Sequence, residues 1–213
     1  MDPSWNIEGV GAFDGDGRQD VVWRNVNGDF SIWAMNGTSS PVSRSLTNGL
    51  SMPLNYKLIG FGDFDGNFRS DFLFRDGSVN KVWLTSFDGT SVTETAVAAA
   101  LPSGITVKAM GDFNGDSRVD LALQNDSTGA IEVRYMNGMA QLATPLQINA
   151  PAAGWNLQFA QDVTSDFIAD WIWVNPGTTD PMVAYTPMAT TPGRTTNLTS
   201  VKSGWTIFNY THL

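Results

Sequence analysis

The chain has 213 residues and a formal net charge of −9, with a sequence pI near 4.3. Nucleic-acid phosphates and anionic membranes are bound by clustered Lys and Arg, so this charge argues against both kinds of partner. Hydrophobic residues make up 42% of the chain and cysteine is absent. The composition therefore predicts a folded core and excludes disulfides and thiolate metal sites.

The sequence does not identify the compartment in which the protein resides. It contains no apolar run of about 18 residues, the length that would predict a membrane-spanning helix. Its opening, MDPSWNIEGVGAFDG, lacks the basic and apolar segments of a signal peptide. These observations leave the compartment open.

One acidic segment recurs four times, as GAFDGDGRQDVVWRN, GDFDGNFRSDFLFRD, GDFNGDSRVDLALQN and QDVTSDFIADWIWVN. The aspartates that end its four acidic loops follow one another at 51, 49 and 50 residues; they are Asp20, Asp71, Asp120 and Asp170. Such a period predicts a repeat protein whose units share one stacked core. We expect a single repeat domain over 1–213, with units near 5–55, 56–105, 106–154 and 155–204.

Each unit opens with an apolar run that predicts a strand, such as WNIEGVGAF in unit one. After the acidic loop, a short and nearly continuous apolar run (VVWRN) predicts a strand buried on both faces. A glycine-containing turn leads to a third, partly alternating run (FSIWAMNG), and a more polar fourth run is typical of an outer edge strand. The pattern predicts an all-β fold, a β-propeller of four four-stranded blades.

One surplus strand is predicted at the C-terminal end, within residues 205–213. Residues 205–210, WTIFNY, repeat the pattern of the opening strand, so four units carry one strand more than four blades need. Three arrangements stay open: the strand caps an edge, it pairs with a second chain, or the four blades are part of a larger ring.

The pattern G-D-F-D-G-x-x-x-x-D, followed by an apolar strand and a third strand like W-x-M-N-G, resembles the FG-GAP or VCBS-type repeat. That repeat builds integrin α-chain propellers and many bacterial surface and secreted proteins. The resemblance covers residues 5–202 and is most specific in the first three units. It implies an extracellular or cell-surface propeller whose acidic loops, of the form D-x-D-x-D-G-x-x-D, each hold a calcium ion.

Calcium takes about six to eight oxygen ligands, which alternating aspartates and a backbone carbonyl of a tight loop supply. Position by position, the resemblance implies these ligands: Asp14, Asp16 and Asp20 in unit one; Asp63, Asp65, Asn67 and Asp71 in unit two; Asp112, Asn114, Asp116 and Asp120 in unit three; Asp162, Asp166 and Asp170 in unit four. No unit matches fully, because other residues stand at ligand or glycine positions: Ala12, Phe68, Ser117, Thr164 and Phe167.

These departures predict weak calcium sites, with dissociation constants of about 10⁻⁴ to 10⁻³ M at best. Units two and three keep an oxygen ligand at all four positions and rank first. Unit one needs a water in place of Ala12, and unit four is expected to be empty. The alternative is that all four loops are metal-free turns, because Asp and Asn side chains also hydrogen-bond their own backbone.

A catalytic site is not expected. The single histidine, His212, is the penultimate residue, and no cysteine is present to act as a nucleophile. The acids belong mostly to the repeating loops, where turns or metal binding explain them better than a catalytic pair. We therefore predict that the protein is not an enzyme.

The tryptophans, 8 in number, allow two interpretations, stacking on sugar rings or packing between blades. Equivalent positions in the second strands favour packing; they hold Trp23, Phe74, Leu123 and Trp173. Nearly equivalent positions in the third strands hold Trp33, Trp83, Tyr135 and Tyr185. Trp171 has no tryptophan counterpart in units one and three, so it is the predicted ligand-binding residue at the surface.

Together these features favour a non-catalytic binding or scaffold module, a rigid propeller that mediates protein–protein interaction or assembly and is stabilised weakly by calcium. A propeller lectin that binds glycans is the alternative, and a structural fragment of a longer repeat protein is the third interpretation. The expected partners are a protein, a second copy of the chain or a glycan. Neither nucleic acid nor insertion into a membrane is expected.

Overall fold

The computed structural model describes residues 4–37, 41–45, 51–77, 79–85, 91–96, 101–138, 140–142, 145–150, 153–163, 165–175, 181–185 and 194–197. Within these ranges the chain forms strands, turns and bends, and no helix. A helix suited to crossing a membrane is accordingly not found in this part of the chain. The predicted all-β class is confirmed, whereas the surplus strand and His212 lie outside the described residues.

The first two repeats each fold into a four-stranded antiparallel sheet whose consecutive strands lie side by side. Sheet one consists of β1 (Trp5–Gly11), β2 (Asp20–Asn25), β3 (Phe30–Ala34) and β4 (Val42–Ser45). Sheet two consists of β5 (Lys57–Gly62), β6 (Asp71–Asp76), β7 (Val79–Thr85) and β8 (Val92–Ala96).

The last two repeats form sheets three and four with the same order of main strands. Sheet three consists of β9 (Ile105–Gly111), β10 (Asp120–Asn125), β11 (Ile131–Arg134) and β14 (Leu146–Ile148). A small hairpin, which the sequence did not predict, precedes its last strand; it pairs β12 (Met136–Asn137) with β13 (Ala140–Gln141). Sheet four consists of β15 (Asn156–Gln161), β16 (Asp170–Val174), β17 (Pro181–Tyr185) and β18 (Arg194–Asn197).

The sheets group in pairs into two compact regions. Sheets one and two lie in the N-terminal region, within residues 1–103, and sheets three and four lie in the C-terminal region, within residues 104–209. Each repeat forms one four-stranded sheet, as the sequence predicted, and the third repeat adds the two-stranded hairpin. The single repeat domain stays a prediction.

The second strand of each sheet begins at the aspartate that ends the acidic loop. In β6 the side chains of Phe72, Leu73 and Phe74 are fully buried, so both faces of the strand are covered. The strands β10 and β16 show the same continuous burial, while β2 alternates between buried and half-buried residues. The continuous apolar runs therefore predicted the most buried strands correctly.

Every opening strand carries a β-bulge, which the hydrophobic pattern does not reveal. The register against the second strand shifts between residues 7 and 9, 58 and 60, 107 and 109, and 157 and 159. A bulge inserts one unpaired residue, bends the strand and increases its twist. Each acidic loop thus follows a bent strand.

The core of the N-terminal region joins sheets one and two. Phe72 and Phe74 belong to one buried cluster with Val22, Phe30 and Ile32 of sheet one. The Phe30 ring meets the rings of Phe72 and Phe74 edge to face, with centroids 5.6 and 5.5 Å apart. Burying such a side chain contributes about 1.5–3 kcal/mol, so this contact contributes to the association of the two sheets.

The core of the C-terminal region repeats this arrangement with different side chains. Trp171 and Trp173 of β16 belong to one buried cluster with Phe113, Ile131 and Val133. In both regions, alternate residues of one second strand pack on the preceding sheet. The repeat period therefore extends from strand order to side-chain packing.

An arginine fixes the connection between sheets one and two. Arg24 is buried in β2, and its guanidinium donates to the Met52 carbonyl at 2.8 Å and to the Pro53 carbonyl at 3.1 Å. Met52 itself is fully buried. Carbonyl acceptors bind both terminal nitrogens of the guanidinium, whereas Nε is buried without a partner. These bonds offset much of the cost of burying the charge and hold the connection against sheet one.

Candidate functional site

The acidic loops are named loops one to four and comprise residues 12–19, 63–70, 112–119 and 162–169. The aspartate that ends each loop is the residue that follows it, and Thr164 lies outside the described residues. Each loop connects the opening strand of its sheet to the second strand. In the N-terminal region the Ser70 N–H donates to the Ala12 carbonyl at 2.7 Å, and in the C-terminal region the Ala169 N–H donates to the Asp112 carbonyl at 2.7 Å. Backbone hydrogen bonds thus join neighbouring loops within each region.

The aspartate that ends each loop is buried and binds the backbone of its own repeat. One carboxylate oxygen of Asp71 accepts the Phe64 N–H at 2.8 Å, and the other accepts the Thr85 N–H at 2.7 Å. The carboxylate therefore ties the start of the loop to the end of the third strand. Asp20, Asp120 and Asp170 accept the equivalent N–H group of their own loops. Asp20 and Asp120 also accept a backbone N–H group just after the third strand, from Met35 and Met136.

Burial raises the pKa of three of these carboxyl groups. Desolvation raises the pKa of Asp71 and of Asp120 to about 7, against the opposing effect of the two backbone hydrogen bonds. Desolvation also raises the pKa of Asp20. A metal ion binds the ionised carboxylate, so a group that is partly protonated at neutral pH is weakened as a calcium ligand.

The aspartate that opens loops two, three and four accepts several N–H groups of its own loop. In loop two, Asp63 Oδ1 accepts the Gly66 N–H and Oδ2 accepts the Phe68 N–H, each at 2.7 Å. Asp112 and Asp162 repeat both bonds with residues 115 and 117 and with residues 165 and 167. This is the aspartate-capped turn that the sequence left open as the alternative to a metal site.

Three residues before its last aspartate, each loop has a left-handed backbone. The φ angle is 78° at Gly17, 63° at Phe68, 65° at Ser117 and 68° at Phe167. This conformation costs a residue with a Cβ atom about 1–2 kcal/mol. Loops two to four place an aspartate where it accepts the N–H of this residue, whereas loop one has Ala12 at that position and glycine at the left-handed one. The left-handed backbone is thus accompanied either by a carboxylate that accepts the N–H of the residue, in loops two to four, or by glycine, in loop one.

Loop two brings three carboxylates within reach of one ion. Oxygens of Asp63, Asp65 and Asp71 lie within 4.8 Å of one another. Asn67 lies beside them, since its side-chain amide donates to Asp65 at 3.2 Å and to the Thr85 carbonyl at 2.7 Å. Carboxylate and amide oxygens are the hard donors that Ca²⁺ takes, so this donor set fits calcium. No other triple of acidic or histidine side chains in the described part of the chain comes as close.

In the other loops the remaining predicted ligands stabilise local turns. Asp16, Asp116 and Asp166 each accept the N–H two residues further on, at 2.8, 2.9 and 3.0 Å. Asp14 accepts the Asp16 N–H at 3.1 Å, and Asn114 accepts that of Asp116 at 2.9 Å. Each of these predicted ligands thus holds a backbone group of its own loop.

Trp171 is not a surface residue. Its side chain is 1% exposed and stacks on the Phe113 ring, with centroids 4.2 Å apart. Trp171 follows the buried aspartate of its loop by one residue, as Phe72 does in sheet two, and both positions pack against the preceding sheet. The expectation that Trp171 meets a ligand at the surface is therefore wrong.

Phe74 and Trp173 are buried in clusters shared with the preceding sheet, as the packing interpretation predicts, and Leu123 is buried as well. Trp23 is only half-buried and lies against Trp33, with centroids 4.8 Å apart. Tyr135 is half-buried as well. The side chains of Trp83 and Tyr185 lie outside the described residues.

Two exposed phenylalanines were missed as candidate site residues. Phe68 is 77% exposed and Phe167 is 87% exposed, each in an acidic loop. In the sequence both residues stand out only as departures from a glycine position. Alignment with Gly17 carried the missing signal, because a residue aligned with that glycine stands in the loop, outside the strands that bury apolar residues.

Sequence comparison finds no relatives: no protein-family profile and no curated protein matches this chain. Among solved structures, the chain is similar to an Agrocybe aegerita lectin described as specifically recognising non-reducing terminal N-acetylglucosamine. The TM-score is 0.60 at 15% identity, over 90% of this chain and 51% of the lectin. This chain therefore spans about half the length of the lectin, and the likeness shows a shared β fold alone.

A second similar structure is the Tc holotoxin pore of Photorhabdus luminescens, with 12% identity and a TM-score of 0.44. The match covers 98% of this chain and 12% of the toxin chain. A likeness this low supports no argument about the present chain.

Proposed function

We propose that this chain is a non-catalytic glycan-binding protein whose four sheets are the blades of a β-propeller of the FG-GAP kind. The observation that carries the proposal is the likeness in fold, over 90% of the chain, to a lectin that recognises terminal N-acetylglucosamine. Four antiparallel sheets of matching strand order support the propeller. An extracellular or cell-surface location belongs to the same proposal.

The chemistry of the acidic loops supports a sugar ligand. Sugars offer hydroxyl groups that donate to carboxylates, and a binding site needs only a few such groups in fixed positions. The carboxylates of Asp65 and Asp116 are exposed, and each is held by a hydrogen bond from its own loop. Such carboxylates are suited to accept sugar hydroxyl groups without a change in the loop.

A glycan array tests the proposal. The purified chain is applied with about 5 mM calcium and, in parallel, with EDTA, and bound glycans are competed with free N-acetylglucosamine. We expect saturable binding to at least one class of terminal sugar and displacement by the matching free sugar. Glycans that end in glucose and in galactose are the controls for the acetamido group. Absence of binding to every glycan in both buffers would contradict the proposal.

The protein-interaction scaffold favoured by the sequence stays a prediction. The lectin is proposed in its place because the similarity in fold is to a protein that recognises a glycan. A negative glycan array together with a self-associated chain in light scattering would favour it.

We also propose that loop two binds calcium weakly. Asp63, Asp65 and Asn67 are the residues that would hold it, with Asp71 as a buried neighbour. The ion would neutralise carboxylates that lie close together and would thereby stabilise the loop. Loops one, three and four are proposed to keep their turns without metal.

A further inference from the structure

Two aromatic rings stand at equivalent positions of two acidic loops and face solvent. Phe68 in loop two and Phe167 in loop four are more exposed than any other large hydrophobic residue among those described, at 77% and 87%. One belongs to each compact region. Exposed large apolar side chains that recur at one position of a repeat are candidates for ligand contact.

The fold itself has no use for a phenylalanine at this position. Gly17 occupies it in loop one and Ser117 in loop three, and all four residues have a left-handed φ angle. A ring that is mostly exposed contributes little burial energy, and the left-handed backbone is unfavourable for a bulky residue. Folding therefore accounts for the backbone conformation but not for the ring.

The loop holds the backbone that carries each ring in a fixed position. The Phe68 N–H donates to Asp63 at 2.7 Å, and the Phe167 N–H donates to Asp162 at 2.9 Å. In both loops the opening aspartate also accepts the N–H two residues before the phenylalanine. Because these bonds hold the backbone that carries each ring, ligand binding at the ring does not require the loop backbone to become ordered.

The surroundings of the rings favour a neutral, hydroxyl-rich ligand. Exposed carboxylates lie in the same loops, on Asp65 and Asp166, and the chain has a net charge of −9. These charges oppose contact with nucleic acid or an anionic membrane. A sugar ring combines an apolar C–H face, which stacks on an aromatic ring, with hydroxyl groups that donate to carboxylates.

We propose that Phe68 and Phe167 are sugar-stacking residues, each of which covers the apolar face of one sugar of a bound glycan while carboxylates of the same loop accept its hydroxyl groups. This inference rests on the proposed glycan-binding function and names the residues that carry it. Each compact region then contributes one stacking site of its own.

The test replaces both rings by the residue that the chain itself uses in loop three. Phe68→Ser and Phe167→Ser copy Ser117, which already adopts the left-handed backbone, so the melting temperature should stay within a few degrees of wild type. Val26→Ser, at an exposed valine outside the acidic loops, is the matched control. The probe is the glycan that wild type binds best on the array, immobilised on a biosensor.

We expect each single variant to bind about tenfold more weakly and the double variant to lose measurable binding, while Val26→Ser binds as wild type does. If wild type binds a glycan and the double variant binds it equally well, this inference is overturned and the lectin function stands. If wild type binds no glycan, both fall. If the double variant instead loses binding to phosphatidylcholine vesicles or changes its mass in light scattering, the rings serve a membrane or protein contact and the inference is overturned.

Discussion

At the scale of single residues, the aspartate that ends each loop is the group most sensitive to its surroundings. It is buried beside apolar side chains and yet accepts backbone hydrogen bonds that fix two segments of its repeat. Its carboxyl group is therefore costly to ionise in the folded chain. Two predictions follow from this position, one for pH and one for substitution.

We expect the free energy of unfolding to rise as the pH falls from about 8 to about 5. Asp71 and Asp120 bind a proton with a pKa of about 7 in the folded chain, against a usual value of 3.8. Between these values the folded chain holds protons that the unfolded chain lacks, so acidification stabilises it and the gain is lost as the pH rises through about 7. Urea denaturation in EDTA at several pH values measures the effect, and a steady loss of stability on acidification to pH 5 would contradict it.

Asp71→Asn removes the titrating group and turns an amide N–H₂ toward one backbone N–H donor. At pH 8 we expect a loss of about 1–3 kcal/mol in the free energy of unfolding, together with a flatter dependence on pH. Asp116→Asn is the matched control, because loop two carries Asn67 at the equivalent position. The control should change the stability by no more than about 0.5 kcal/mol, and equal losses in the two variants would refute the argument.

At the scale of elements, neighbouring sheets approach most closely where an opening strand ends. A Cβ atom at Gly111, the last residue of β9, would lie 2.6 Å from the Cβ atom of Ala169. At Gly11, the last residue of β1, it would lie 2.9 Å from the hydroxyl oxygen of Ser70 in loop two. Glycine at the end of these strands therefore permits the packing of loop against loop within each region.

Gly111→Ala should destabilise the chain by about 1–3 kcal/mol, because the added methyl group overlaps Ala169 across the contact between sheets three and four. Thermal and urea denaturation followed by circular dichroism measure the loss. The double variant Gly111→Ala with Ala169→Gly removes the opposing methyl group and should regain most of the stability. An unchanged melt of the single variant would show that the two backbones move apart at no cost.

Loop one lacks the opening carboxylate that the other three loops carry, and a substitution can supply it. Ala12→Asp combines an opening carboxylate with Gly17 and completes the pattern D-x-D-x-D-G-x-x-D in that loop. We expect the variant to bind calcium more tightly than wild type by isothermal titration calorimetry, because one further carboxylate joins the donor set. An identical titration for the two proteins would mean that a fourth oxygen ligand does not limit binding in loop one.

At the scale of the whole molecule, weak calcium binding has a calculable effect on stability. With a dissociation constant of about 1 mM, about 5 mM calcium stabilises the chain by about 1 kcal/mol, which raises the melting temperature by roughly 2–4 °C. Asp65→Ala removes an exposed ligand of loop two and should abolish the rise while leaving the melt in EDTA nearly unchanged. If wild type melts identically in calcium and in EDTA, loop two is a metal-free turn.

The strand content of the molecule could be predicted because a repeated apolar pattern, interrupted by glycine turns, encodes strands directly. The place of Trp171 was missed because it was compared by residue type, whereas its register, one residue after a buried aspartate, makes it equivalent to Phe72. The left-handed phenylalanines escaped because their conformation depends on side-chain acceptors that exist only in the folded loop. Hydrophobic periodicity carries no information about such bonds.

The bulges in the opening strands also bear on edge-to-edge pairing of the sheets with those of other molecules. β1, β5, β9 and β15 each lie at one end of their sheet, and a flat strand in that position invites strands of other molecules to continue the sheet. The net charge of −9 adds repulsion between copies of the chain. A bent and twisted edge strand is a poor template for a straight incoming strand. Resistance to aggregation then comes from the backbone geometry, and substitutions of surface charges would not remove it.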